Sequence, residues 1–251
     1  MLTDDQVAQY HADGYTVVRR LYSPGHVDAM REDIDRFLSG EKQPGTIPFT
    51  ESLEDDPTFK SMSMLSWLAQ SSDPLRRALH QRETLEIVSQ LLGPDVSWWW
   101  DQAAVKAPLE GGEFPWHQDN GYESAEPPLT LNVVIAVDDV TTENGCLWVL
   151  PGSHKQGDLP HWEKPPAWHR HCYDGPDMGV PLEGKAGDVA ILHCQCVHRS
   201  TPNTTPRPRR TYLAAYCSPH IHKKADGTAY EGKTPLLAGG EPAPEVARDW
   251  A

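Results

Sequence analysis

Val96-Ser97-Trp98-Trp99-Trp100-Asp101-Gln102-Ala103-Ala104-Val105-Lys106 opens the half of the chain whose texture decides the fold. The run is rich in β-branched and aromatic residues. Further runs of that kind follow at Leu129–Val137, Cys146–Leu150, Gly187–Cys194 and Arg210–Cys217, separated by Gly/Pro turns. Short strands at that spacing predict an all-β sandwich or barrel. Upstream, the texture is helical. Thr3 is placed to cap a helix carrying Val7, Tyr10 and His11 and ended by Gly14. Tyr15 to Arg19 is a short β-rich run, and Ser23-Pro24-Gly25 starts a second helix with Val27, Met30, Ile34 and Phe37 on one face. Leu75, Leu79, Leu85, Val88 and Leu92 predict one further helix over 74–92. Pro44–Pro57 is polar and turn-rich, and Gly157–Pro181 lacks periodicity; both are expected as loops, the second as a lid. The domain reading is a single unit over 1–225, with a helical part at about 1–94 and a β core at about 95–220, followed by a partly disordered Gly/Pro/Ala-rich tail over 226–251.

Composition narrows the function classes. The chain has 251 residues, 38% of them hydrophobic, which suffices for one domain with a real core. It carries 22 Lys and Arg against 36 Asp and Glu, a formal charge of −14. A nucleic-acid binder usually presents a basic face, so no DNA or RNA partner is expected. No stretch approaches a spanning helix, and the polar, acidic start reads as no secretory signal, so no membrane is expected and a cytoplasmic setting is. Five cysteines without framework spacing fit reduced thiols. Of the nine tryptophans, most are expected in the core and sheets, with a few lining a pocket. Oligomeric state is not legible.

The local signal for chemistry is Phe114-Pro-Trp-His-Gln-Asp119. In extended backbone, residues i and i+2 face the same side, so the His117 imidazole and the Asp119 carboxylate can reach one point. Two His and one carboxylate on one face of an octahedral ion make the facial triad of non-haem Fe(II) oxygenases. Alone, H-x-D is a weak signal. A third ligand is available in His198, which ends the strand-like Asp188-Val-Ala-Ile-Leu-His-Cys-Gln-Cys-Val-His198, 81 residues on (198 minus 117). Arg207, Arg209 and Arg210 follow, and a guanidinium can bind a carboxylate with two parallel hydrogen bonds. Cys194, Cys196 and His198 also alternate along that strand, so a structural zinc site is a rival reading, although a fourth ligand and a knuckle spacing are missing. His154 is read as structural.

The sequence resembles the phytanoyl-CoA dioxygenase family of 2-oxoglutarate-dependent oxygenases from Leu2 to about Tyr216. The resemblance is carried by Asp101-Gln-Ala-Ala-Val-Lys106-Ala-Pro, Phe114-Pro-Trp-His-Gln-Asp119, Glu143-Asn-Gly-Cys-Leu-Trp-Val-Leu-Pro-Gly-Ser-His154, Gly187-Asp188 and His198-Arg-Ser-Thr-Pro-Asn203…Arg207-Pro-Arg-Arg210. It implies a mainly β fold, a distorted double-stranded β-helix of the jelly-roll or cupin kind, with N-terminal helices packed on it. It implies Fe(II) bound by His117, Asp119 and His198, with 2-oxoglutarate and O2 as cosubstrates and ascorbate as the reductant in vitro. Arg209 falls where the family's arginine binds the distal carboxylate, with Arg210 the alternative if the register slips by one. Ser200, Gln102, Thr130 and Asn132 fall at positions of further cosubstrate contacts. Related halogenases lack the carboxylate, so Asp119 favours hydroxylation, or another hydrogen abstraction such as desaturation. The expected activity is hydroxylation of an unactivated carbon of a small metabolite with release of succinate and CO2. The alternative is a non-catalytic relative that binds a small molecule or senses iron. The Gly157–Pro181 and Pro44–Pro57 loops and the surroundings of Trp100, Trp116 and Tyr122 are expected to meet the substrate.

Overall fold

Thr3 caps α1 (Asp4–Asp13) through a reciprocal pair: its hydroxyl accepts from Gln6 N at 3.2 Å, and its own N donates to Gln6 Oε1 at 3.0 Å. Gly14, at φ 81°, reverses the chain into β1 (Tyr15–Val18). Ser23 caps α2 (Pro24–Leu38), which buries Val27, Met30, Ile34 and Phe37 along one stripe. The computed structural model describes residues 1–44, 62–109, 111–164 and 167–251, so the expected Pro44–Pro57 loop lies outside the described residues apart from Pro44. Strand β2 (Met62–Ser66) follows, a short element not expected from the sequence. The helix expected over 74–92 is two helices, α3 (Asp73–His80) and α4 (Arg82–Leu92), because Gln81 is extended (φ −55°, ψ 129°) and donates its side-chain amide to Leu21 O at 3.0 Å. Both helices lay Leu75, Leu79, Leu85 and Val88 on one core, which is why the apolar stripe reads as continuous.

The β half runs β3 (Val96–Lys106), β4 (Phe114–His117), a short helix α5 (Asn120–Glu123), β5 (Ala125–Glu126), β6 (Thr130–Ala136) and β7 (Leu147–Val149). It continues through β8 (Trp162–Lys164), β9 (Ala167–His171), β10 (Val180–Leu182), β11 (Val189–His193), β12 (His198–Ser200) and β13 (Arg209–Cys217). Last come β14 (His222–Lys223), β15 (Thr234–Ala238), β16 (Glu241–Pro242) and α6 (Pro244–Trp250). The large sheet has the order β1-β11-β6-β13-β3-β15-β16, with β2 also on β3, and the small sheet is β10-β7-β12-β4. All pairings are antiparallel. One face of the large sheet (Ala103, Val105, Leu131, Val133, Ile135, Tyr212, Tyr216) packs on the helices, and the other faces the small sheet. This is the distorted double-stranded β-helix with helices on its outer face.

Register places the inward side chains in rows across β3, β13 and β6: Trp100–Ala215–Asn132, Gln102–Leu213–Val134, Ala104–Thr211–Ala136, and Lys106–Arg209 at the far end. The segment expected as a loop over 157–181 contains the hairpin β8–β9 and strand β10. From Thr234 on, the segment expected as a loose tail forms regular elements. β15 pairs with β3, and α6 docks on α3, where Asp249 accepts from Arg76 Nη1 at 2.7 Å and from His80 Nδ1 at 2.6 Å. Leu236, Leu237 and Val246 are buried there, three apolar positions that the surrounding Gly, Pro and Ala masked.

Candidate metal centre

β4 ends at His117 and β12 begins at His198, and the two residues are direct cross-strand partners. Their rings stand side by side, with centroids 4.1 Å apart. Each Nδ1 faces a carbonyl of its own chain two residues back, Pro115 O at 2.8 Å and Cys196 O at 3.0 Å. A carbonyl only accepts, so each Nδ1 carries the proton and each Nε2 keeps its lone pair. Those Nε2 atoms lie 3.5 Å and 3.6 Å from Asp119 Oδ1. Such distances are too long for hydrogen bonds and suit three ligands on one face of a single ion. One ligand atom from each residue lies within 4.8 Å of the others, and all three side chains are buried.

The surroundings prepare these groups for a cation. Burial pushes the Asp119 carboxyl up, but His198, His117 and the Asn132 hydrogen bond hold it below its ordinary range. Asn132 Nδ2 donates to Asp119 Oδ2 at 2.6 Å, leaving Oδ1 toward the imidazoles. Burial, then the neighbouring His117, lowers His198 to about 4, so its ring is neutral and able to ligate. Two neutral imidazoles and one anionic oxygen are a donor set that fits Fe(II). Zinc with Cys194 and Cys196 is overturned by geometry. β11 stops at His193, the chain turns before β12, and the Cys194 thiol points to Pro128 O at 3.4 Å. Among the described residues, His117, Asp119 and His198 are the only metal-sized cluster. His154 faces His11 O at 3.2 Å, away from this cluster.

The two arginines separate cleanly. Arg210 points to the helices and pairs with Asp35 at 2.8 Å and Asp138 at 3.0 Å. Arg209 points into the barrel and is buried; Nη1 donates to Thr211 Oγ1 at 2.9 Å and Nη2 to Gly145 O at 2.8 Å. Its Nε has no hydrogen-bond partner among the described residues, and burial lowers the guanidinium to about 10. Gly145 is at φ +87°, and a Cβ there would collide with Thr201 O, so the carbonyl that receives Arg209 requires glycine. Ser200 is buried two residues along β12 from His198. Gln102 gives its amide to Ser66 Oγ at 3.0 Å. Thr130 lies at the other end of β6 from the Arg209 row, and its hydroxyl donates to Glu123 Oε2 at 3.0 Å.

Three features were not foreseen from the sequence. Lys106, fully buried at the inward end of β3, donates to Gly112 O and lies 3.5 Å from Ser200 O. Burial, then Arg209, lowers its ammonium to about 6. Its signals in the sequence were a lysine closing the strand after Ala103-Ala104-Val105 and its place in the Asp101-Gln-Ala-Ala-Val-Lys106-Ala-Pro motif. Glu123 is a second carboxyl beside Asp119, raised to about 8 by burial and then by the Asp119 charge. Finally, the β8–β9 hairpin covers the metal motif: Gln118 N donates to His161 Nε2 at 3.2 Å, and Arg170 N donates to the Tyr122 hydroxyl at 2.8 Å. The His161 ring occupies the space where a side chain on Gly121 would stand.

Comparison with known proteins agrees with this geometry. The model of the family described as phytanoyl-CoA dioxygenase matches residues 10–211. Phytanoyl-CoA dioxygenase 1 of Oryza sativa subsp. japonica is 28% identical over 249 residues, covering 83% of this chain and 86% of that protein. L-proline trans-4-hydroxylase of Streptomyces griseoviridis is 27% identical over 269 residues, covering 98% and 96%. Among solved structures, the apo non-haem monooxygenase ThoJ superposes with a TM-score of 0.75 at 20% identity, covering 98% of this chain and 93% of that one, which speaks for the fold.

Proposed function

The chain belongs to the phytanoyl-CoA dioxygenase family, and from that premise we propose that it is an Fe(II)- and 2-oxoglutarate-dependent dioxygenase that hydroxylates an unactivated carbon of a small metabolite. The observation that carries this reading is the buried cluster of two Nε2 lone pairs and Asp119 Oδ1 with two buried basic side chains, Arg209 and Lys106, farther along the same inner wall. Bound to His117, Asp119 and His198, iron(II) with 2-oxoglutarate and O2 supplies the oxidant for a C–H bond, with succinate and CO2 as co-products.

The protein's own residues bind, orient and exclude. Asn132 fixes which oxygen of Asp119 faces the metal. Pro115 O and Cys196 O hold the two imidazoles in the ligating tautomer. Arg209, with its unpartnered Nε, and Lys106 are placed to receive the distal carboxylate of 2-oxoglutarate, with the Ser200 hydroxyl close by on β12. Gln102 and Thr130 are assigned to the wall of the substrate cleft instead, because their polar groups are engaged by Ser66 and Glu123. The β8–β9 hairpin keeps water from the site. No described helix is long and apolar enough to cross a membrane. Five free, buried cysteines support a reducing, cytoplasmic setting.

Anaerobic titration with Fe(II) and 2-oxoglutarate tests the reading through the weak visible charge-transfer band of the chelate. Wild type should show the band, and His117→Ala should lose it. With air and ascorbate, wild type should form succinate slowly without any added substrate. A band without succinate would favour an iron-sensing or binding relative, and no band in a folded, iron-loaded protein would refute the assignment.

A further inference from the structure

Glu123 brings to the site a carboxyl for which the chemistry described so far has no use. It closes α5 one helical turn after Asp119, and positions four apart on a helix share a face. The backbone ties the two together, since Tyr122 N and Glu123 N both donate to Asp119 O, at 2.9 Å and 3.0 Å. The carboxylate is held by two neutral donors from the inner wall of the large sheet: Trp100 Nε1 to Oε1 at 3.2 Å and Thr130 Oγ1 to Oε2 at 3.0 Å. Trp100 shares a row with Asn132, which anchors Asp119, and Thr130 lies one inward step beyond Asn132, away from Arg209.

The inner wall is therefore polarised along the strands. Lys106 and Arg209 stand at one end, the metal ligands in the middle, and Glu123 at the other. At the cationic end the partner is a dicarboxylate. At the anionic end, Glu123 makes no ion pair among the described residues. Each of its oxygens keeps an unused acceptor site. Glu123 and Trp100 are each only half-buried, so both keep surface open to a ligand. A carboxyl withdrawn from water beside another carboxylate, without a countercharge, is stable as an anion only when a cation arrives with the ligand.

We infer that Glu123 is the specificity-determining residue of the cleft and that the substrate it selects carries a protonated amine, bound by the Glu123 carboxylate next to the Trp100 indole. This rests on the dioxygenase reading and adds to it the charge class of the substrate. Amine recognition of this kind rejects a neutral analogue because Glu123 is then left buried and unpaired.

The test compares wild type, Glu123→Gln and Glu123→Asp, each loaded with Fe(II) and 2-oxoglutarate and checked by the charge-transfer band. Succinate formation is followed with the proteinogenic amino acids and short aliphatic amines, beside the same compounds acetylated on nitrogen. At least one free amine should raise the wild-type rate about 10-fold over the substrate-free rate, and its acetylated form should not. Glu123→Gln should raise the KM for that amine about 100-fold with a smaller change in kcat, and Glu123→Asp should recover part of it. A purely structural carboxyl would leave that KM in place when replaced by the isosteric amide. The inference is overturned if an acetylated compound stimulates as well as its amine, if Glu123→Gln keeps the wild-type KM, or if no free amine stimulates a wild type that shows band and substrate-free succinate. A wild type with neither band nor succinate overturns the dioxygenase reading itself, and the two failures are thereby distinguished.

Discussion

Replacing Arg209 by methionine should weaken 2-oxoglutarate binding by roughly two orders of magnitude while leaving the fold in place. The magnitude follows from the guanidinium's setting. Burial lowers it from 12.5 to about 10, so the empty site disfavours the cation by ~3 kcal/mol. A carboxylate arriving at Nε removes that penalty, and without the charge the relief is absent, so Kd should rise ~100-fold. Arg210→Met is the control, because its guanidinium serves Asp35 and Asp138 at the helix interface. It should cost about 1 kcal/mol of stability and leave Kd within about threefold. The assay is anaerobic titration of the Fe(II)-loaded proteins with 2-oxoglutarate, read by the visible band, beside thermal melts of the same samples. Loss of binding in Arg210→Met with retention in Arg209→Met would refute the inward–outward assignment and with it the whole register argument.

Lys106 makes a pH-dependent expectation. Its folded value is lowered to about 6, so in the empty site it is neutral above that pH and charged below it. A bound carboxylate restores the ammonium, so binding should take up as much as about one proton at pH 7–8; calorimetry in buffers of different ionisation enthalpy reads this, and zero uptake would contradict it. Asn132→Ala removes the hydrogen bond to Asp119 Oδ2 and should weaken Fe(II) binding about 10–100-fold, measured by competition with a chelator; unchanged affinity would show that Asp119 needs no such support. Gly121→Ala places a methyl where the His161 ring sits, so the β8–β9 hairpin should lift, with a stability loss of about 1–3 kcal/mol and more 2-oxoglutarate consumed per product formed; a variant with wild-type melting and coupling would place the hairpin elsewhere in solution.

The elements that were legible in the sequence are those whose signal is local. The Thr3–Gln6 cap, the Pro24 helix start and the alternation of β6 and β13 each depend on residues a few positions apart. The metal ligands were legible because His117 and Asp119 carry their spacing with them, and His198 came through a motif. What was missed depends on partners far along the chain. Gln81 breaks a helix for the sake of Leu21, sixty positions away. Lys106 reads as a strand-ending lysine until Gly112 and Ser200 close over it. Thr130 was legible only as a strand position, whereas its hydrogen bond to Glu123 is set by the turn after Asp119. No periodicity encodes such pairings.

The outer edge of β3 is shared by two segments from opposite ends of the chain. β2 covers it opposite Gln102–Lys106, and β15 covers it opposite Val96–Trp98. During synthesis, the Val96–Trp98 stretch is thus made well over a hundred residues before its covering strand emerges. Until then it presents unpaired amides, beside the three consecutive tryptophans Trp98, Trp99 and Trp100, to any other nascent chain, the usual template for edge-to-edge aggregation. Removing residues 234–251 should accordingly harm recovery of soluble protein more than it harms the chemistry of the molecules that do fold.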